Sequence, residues 1–303
     1  MMNIADFAAT AKLEPEEISA LKMICSNKSI MLMAQKIAEK TFQTEPVEEL
    51  KCFPESPELA QAWFAAAYLS IDYSRRKFKL LGYPEAVWLD TMSDMAIWLR
   101  HEKRNKGIIG LGQVARWWTA LLYNGKVIRR GRLECNTYYC YNGNDIFNAE
   151  NKRLLTRGDK VINLHIPEDG AMDIDLCSAS LKAMADFFSN CHPDYDWQGF
   201  ICQSWLLDRQ LCRLLPEHSN IVKFQKLGLH FPVDTPADTV FRIFGEKDIS
   251  QIENPTTLQR KAAAFLQAGG TFREEGIFIP RREIEAVDFD LEKIRTKNQM
   301  LCR

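Results

Sequence analysis

The stretch Val161-Ile162-Asn163-Leu164-His165-Ile166-Pro167 decides the fold. In an extended chain Val161, Asn163 and His165 share one face, and Ile162, Leu164 and Ile166 share the other. The second side is wholly apolar, so the segment reads as a strand. A polar loop, Pro167 to Asp173, leads into a helical pattern with Cys177, Leu181, Met184 and Phe188 as its stripe. Trp197 to Trp205 reads as the next strand. Two strands joined through a helix pair in parallel, which places a mixed sheet here. Ligands of such sheets bind beyond the carboxyl ends of the central strands. Those ends are His165-Ile166-Pro167 and Ser204-Trp205-Leu206. Chemistry is expected between His165 and Ser204.

Upstream, residues 1–123 carry the helical period. Glu14-Pro15-Glu16-Glu17 and Ser56-Pro57-Glu58 open helices, with proline in the first turn and acids beside it. Pro84 starts another, whose stripe is Trp88, Met92, Met95 and Leu99. Gly107-Ile108-Ile109-Gly110-Leu111-Gly112 reads as a hinge, because no strand precedes it as a phosphate-binding turn would require. From Lys126 to Tyr141 the chain turns β-branched and aromatic, with a break at Gly131. Downstream lie a strand at 229–233, a helix near 236–244, another from Asn254-Pro255 to Gly269-Gly270, and a hairpin-like segment from Phe272 to Pro280. The expected class is α+β: a helical N-terminal domain (1–123), a mixed α/β domain (124–283) and a charged tail (284–303).

Composition narrows the function. Lys plus Arg number 39 against 40 Asp plus Glu, for a formal net charge of -1. No strong field exists to draw in nucleic acid or an anionic membrane, so neither partner is expected. The longest uncharged run, Leu59 to Ile71, is shorter than the ~18 residues of a membrane helix. No basic segment precedes an apolar one near Met1, so no signal peptide is expected. Nine cysteines with no CxxC pair predict free thiols and a cytoplasmic location. The oligomeric state stays open.

The run around His165, the later Cys202-Gln203-Ser204-Trp205-Leu206-Leu207-Asp208, and Asp72-Tyr73-Ser74-Arg75-Arg76 together resemble a bacterial acyltransferase family. Its members join a helical N-terminal domain to a GNAT-like C-terminal domain, and the likeness covers roughly residues 10–280. The resemblance implies acetyl-CoA or another acyl-CoA as donor and a small amine or related acceptor; the residues themselves suggest no metal. It implies that strand backbone near Leu164 and Ile166 holds the pantetheine, and that the loop with Gly170 and Ala171 receives the pyrophosphate. Trp205 either lines the groove or, as a tryptophan at a strand end, belongs to the core. The usual glycine-rich signature is absent from the loop, and Glu168, Asp169 and Asp173 stand where diphosphate belongs. A non-enzymatic ligand-binding protein on a degenerate acyltransferase fold is therefore the alternative.

His165 is the expected base, since an ammonium acceptor must lose a proton and a free imidazole titrates near neutrality. Ser204 or a water would protonate the departing thiolate. The tyrosine usual in GNAT enzymes has no counterpart after Tyr195. Asp208 reads first as a helix cap. Cys202, in the apolar run Phe200-Ile201-Cys202, reads as buried and inert. Asp90, Asp94 and His101 share one face of the expected helix, and with Arg75 and Arg76 they suggest interhelical ion pairs rather than a metal site. Arg129-Arg130-Gly131-Arg132 is either an anion contact, such as the CoA 3′-phosphate, or a solvated strand face.

Overall fold

The structure is a computed structural model that describes residues 1–42, 56–233, 239–245 and 252–284. It forms two compact units, one of Met1–Thr137 with Ile166–Gly170, the other of Tyr138–His165 with Ala171 onward.

The first unit holds helices α1 (Ile4–Ala11), α2 (Pro15–Ser26), α3 (Lys28–Ile37), α4 (Pro57–Leu80), α5 (Glu85–Met92), α6 (Asp94–Lys106) and α7 (Gln113–Tyr123). A hairpin follows, β1 (Val127–Arg130) against β2 (Leu133–Asn136). Its turn needs the left-handed backbone of Gly131, at φ +67°. Ser56 caps α4 by accepting from Leu59 N–H. Phe7, Phe42, Trp63, Phe64, Trp88 and Tyr123 fill the core. The stripe Trp88, Met92, Met95, Leu99 is buried throughout, as its period predicts. The single helix expected there is two: Ser93 separates α5 from α6 and turns its hydroxyl onto the Asp90 carbonyl.

The second unit is α/β. Its strands are β3 (Ile146–Phe147), β4 (Arg153–Leu155), β5 (Ile162–His165), β6 (Gly199–Ser204), β7 (Leu229–Pro232) and β8 (Glu275–Pro280). Its helices are α8 (Ile174–Cys191), α9 (Gln210–Leu214), α10 (Asn220–Gln225), α11 (Thr239–Phe244), α12 (Thr257–Gln267) and α13 (Arg281–Ile284). β5 and β6 are parallel, and β8 lies antiparallel between β6 and β7. One core cluster gathers Tyr141, Val161, Ile201, Phe231 and Phe278, and a second gathers Leu211, Ile243, Phe244 and Phe272. The strand read as Trp197–Trp205 is shorter at both ends. Trp197 is buried under the Arg281 guanidinium, and Trp205 already belongs to a 3-10 turn. The start of the helix expected near 236, the tail after Ile284, and Cys52 and Cys302 lie outside the described residues.

Candidate functional site

The parallel pair β5–β6 carries both strand ends singled out above. Its register runs Ile162 to Phe200, Asn163 to Ile201, and Leu164 to Cys202, and ends there. β6 continues against β8 as far as Ser204 opposite Glu275. The bonded register of β6 thus runs two residues further against β8 than against β5. Leu164 is buried, while Asn163 and His165 share the other, half-buried face, with Asn163 Nδ2 3.4 Å from His165 Nε2. Although His165 keeps some exposed surface, the protein packed around it costs its charged form hydration. Burial pushes its pKa down to about 4. The expectation of a histidine titrating near neutrality is thus corrected, and the cause is tertiary.

Ser204 ends β6. Its hydroxyl oxygen accepts from Leu206 N–H at 3.2 Å and caps the 3-10 turn Trp205–Leu207. The Trp205 side chain packs on the cluster of Leu211 and Phe244. Asp208 is a structural cap, as expected. It is 1% exposed and accepts from the backbone N–H of Gln210 and Arg273. Cys202 is buried, and burial pushes its thiol up to about 12.

The acidic loop and the basic hairpin explain each other. Glu168 pairs with Arg104 and sits 3.1 Å from His101 Nδ1. Arg129 Nη2 donates to Asp169 Oδ2 at 2.6 Å, and Arg132 Nη1 stands 3.7 Å from Asp169 Oδ1. Arg132 Nη2 also donates to the Gly170 carbonyl at 2.7 Å. Arg129 and Arg132 are both 8% exposed, so these two are no solvated strand face. Glu168 and Asp169 are thus each paired with cations, which weakens their repulsion of a diphosphate. Behind Arg129 lies a buried acid pair: Asp94 and Glu134 are hydrogen-bonded, and Trp98 Nε1 donates to Asp94 Oδ2 at 2.8 Å. Burial raises the pKa of both, and the charge of Asp94 beside Glu134 adds to the rise there.

The α8 N-terminus is already occupied. Asp173 Oδ1 accepts from Asp175 and Leu176 N–H and so caps the helix. Ile166 is half-buried; Gly170 and Ala171 are exposed, with open space around the Gly170 Cα.

Residues 127–278 match the GNAT-like C-terminal domain, and residues 2–125 match the N-acyltransferase N-terminal domain. The chain belongs to this acyltransferase family. No curated protein matches it. Solved structures with the same fold include an acyltransferase in complex with decanoyl-CoA and teicoplanin, at 18% identity and a TM-score of 0.70 over 91% of this chain and 88% of that one. An acyltransferase mutant in complex with octanoyl-CoA gives 17% and 0.71 over 91% and 87%. An acyltransferase in complex with CoA and 10C-teicoplanin gives 16% and 0.64 over 92% and 99%.

Within this acyltransferase fold other sequence expectations change. Arg75 pairs with Glu85, Asp90 with Arg130, and Asp94 with Glu134, so the face of ion pairs expected from Asp90, Asp94 and His101 does not form. The glycine run is no hinge. Leu111 N–H donates to the Ala60 carbonyl, and a Cβ on Gly110 would lie 2.7 Å from Ala60 C. The Tyr195 hydroxyl donates to the backbone carbonyls of Tyr139 or Val161 and accepts from Tyr139 N–H, a structural role.

One polar group escaped the sequence reading. Glu275, across from Ser204, accepts from Arg209 Nε at 2.8 Å and lies 3.1 Å from His230 Nδ1. Burial alone would raise its carboxyl, but these two partners override it and hold the carboxyl below its usual range. Arg209 and Glu275 are 66 residues apart, and no local pattern links them. Among the described residues no cluster of three His, Cys, Asp or Glu side chains is placed to hold a metal, and no helix is long and apolar enough to cross a membrane.

Proposed function

We propose that this acyltransferase takes its acyl group from acyl-CoA and passes it to a small amine or related acceptor. The end of the β5–β6 register at Leu164 and Cys202, while β6 still pairs with β8 to Ser204, carries the reading. Two strand edges that stop bonding each other leave backbone groups near Leu164 and Ile166 for the amides of an extended pantetheine. Gly170 and Ala171, exposed on a loop whose acids are paired, offer backbone N–H to the diphosphate. The solved structures of this fold that hold decanoyl-CoA or octanoyl-CoA support a donor with a medium-length chain. Trp205, on the turn after β6, is a candidate wall for that chain.

The acceptor nitrogen attacks the thioester carbonyl. The C–N bond forms, the C–S bond breaks, and the proton that the nitrogen sheds as it becomes an amide is relayed through the Ser204 hydroxyl to the departing sulfur. The ammonium proton must go first, and the lowered pKa of His165 makes it a weak receiver. His165 serves here as a neutral hydrogen-bond partner that orients the amine, and water carries the proton away. The Ser204 oxygen is occupied as an acceptor, which keeps its O–H for the departing sulfur.

The test follows loss of thioester absorbance when acetyl-, octanoyl- or decanoyl-CoA is mixed with the protein and a panel of amines. Unfolding is measured beside it, where a ligand at a hundred times its Kd adds about 2.7 kcal/mol. Binding with amine-dependent thioester loss is the expected result. Binding without turnover favours the ligand-binding alternative, and the absence of any stability shift refutes the proposal.

A further inference from the structure

We infer that Asp169 is a positioning residue that sets the loop Pro167–Gly170 in the shape that meets the donor's diphosphate; this rests on the acyl-CoA reading above. The loop follows β5 directly, yet it lacks the glycine-rich sequence that usually shapes such a turn. Something else must hold its backbone. The structure supplies it from forty residues upstream: Arg129 grips the Asp169 carboxylate, and Arg132 grips the Gly170 carbonyl and faces the same carboxylate. One guanidinium is itself fixed from behind, since Arg129 Nε donates to the Gly131 carbonyl at 2.9 Å. Asp169 and Gly170 are thus pinned at adjacent residues, one by side chain and one by backbone, while their outer surface remains open.

The charges of the cluster agree with this role. It contains two guanidiniums (Arg129, Arg132) and three carboxyl groups (Asp94, Glu134, Asp169). Asp94 and Glu134 bond to each other, which requires a proton between them. With that proton in place two positive charges meet two negative ones, and a buried cluster avoids the cost of a net charge. Asp169 is the only one of the three carboxyls on the loop. Its removal leaves the buried arginines with one charge uncompensated and the loop without its side-chain tether. Asp90 and Glu168 engage other partners, Arg130 and the Arg104–His101 pair.

The experiment compares the full chain with Asp169→Asn and Asp169→Glu. The readouts are KM for the acyl-CoA, KM for the amine, kcat, calorimetric Kd for CoA, and backbone amide exchange at 168–171. A positioning role predicts a rise of roughly tenfold in KM and Kd for the CoA donor in Asp169→Asn, the size of one lost charge-assisted hydrogen bond. The amine KM should stay in place, exchange should quicken at the loop alone, and Asp169→Glu should restore part of both effects. Unchanged exchange at the loop overturns the inference. So does faster exchange throughout α6 and β1–β2, or a fall in kcat with donor KM unmoved, because a merely structural tie would give that. If the unaltered chain binds no CoA at all, the acyl-CoA reading fails, and the exchange measurement still decides whether Asp169 shapes the loop.

Discussion

Replacing His165 by glutamine removes a ring whose protonation the folded chain resists. Burial holds that ring at about 4 in the folded state, against about 6.5 in an unfolded chain. A depressed folded pKa means that its contribution to stability is whole above pH 6.5 and lost as pH falls through 4. Between those limits the unfolded chain binds a proton that the folded chain refuses. Each unit of the gap is worth about 1.4 kcal/mol, so the unaltered protein should lose about 2 kcal/mol by pH 5 and about 3 kcal/mol by pH 4 from this residue alone. Every other titration is common to the variant and cancels in the comparison. Urea unfolding of both proteins at pH 7.5, 6, 5 and 4 gives the difference curve, and with a slope of 1–3 kcal/mol per molar the midpoints should converge on the variant's by about 1 M or more. An NMR titration of the ring gives the same answer directly. Parallel unfolding curves, or a ring midpoint near 6.5, would refute the burial argument and restore His165 as a base for neutral pH.

Two further outcomes test the first unit. Glu134→Gln should flatten the pH dependence of stability. Acids whose folded pKa is raised keep a proton that the unfolded chain releases above about 4.5, so stability falls with rising pH by up to about 1.4 kcal/mol per unit for each proton held; urea midpoints from pH 5.5 to 7.5 with equal slopes in both proteins would contradict a shared buried proton. Gly110→Ala should cost about 1–3 kcal/mol, because its new methyl meets Ala60 backbone at 2.7 Å and helix α4 cannot yield as a side chain would; a thermal midpoint equal to that of the unaltered chain would show that the loop gives way freely.

The legible parts of the molecule were those written in local period. Trp88, Met92, Met95 and Leu99 marked a buried face, and they did so across the break at Ser93, because the spacing passes through it unchanged. The alternation of β5, the stripe of α8 and the parallel partner strand were likewise readable, and so was the acyltransferase family, from motifs at the strand ends. The illegible parts were tertiary. The acids of the loop and the arginines of the hairpin looked like two separate puzzles, since Arg129 and Asp169 stand 40 residues apart. The low pKa of His165 comes from what packs over it, which no spacing encodes. The Glu275 cluster joins the residue before α9 to β7 and β8, a link that no local spacing encodes.

Asp173 has a consequence for engineering. Because it consumes the first amides of α8, the helix is complete without its predecessor, and the preceding segment is tied down through Arg129 and Arg132 instead. Donor preference should then travel with a short exchangeable cassette. A graft that keeps an acid at 169 and its two arginines could rewrite 166–171 from a relative with another nucleotide taste, leaving the helix behind it untouched.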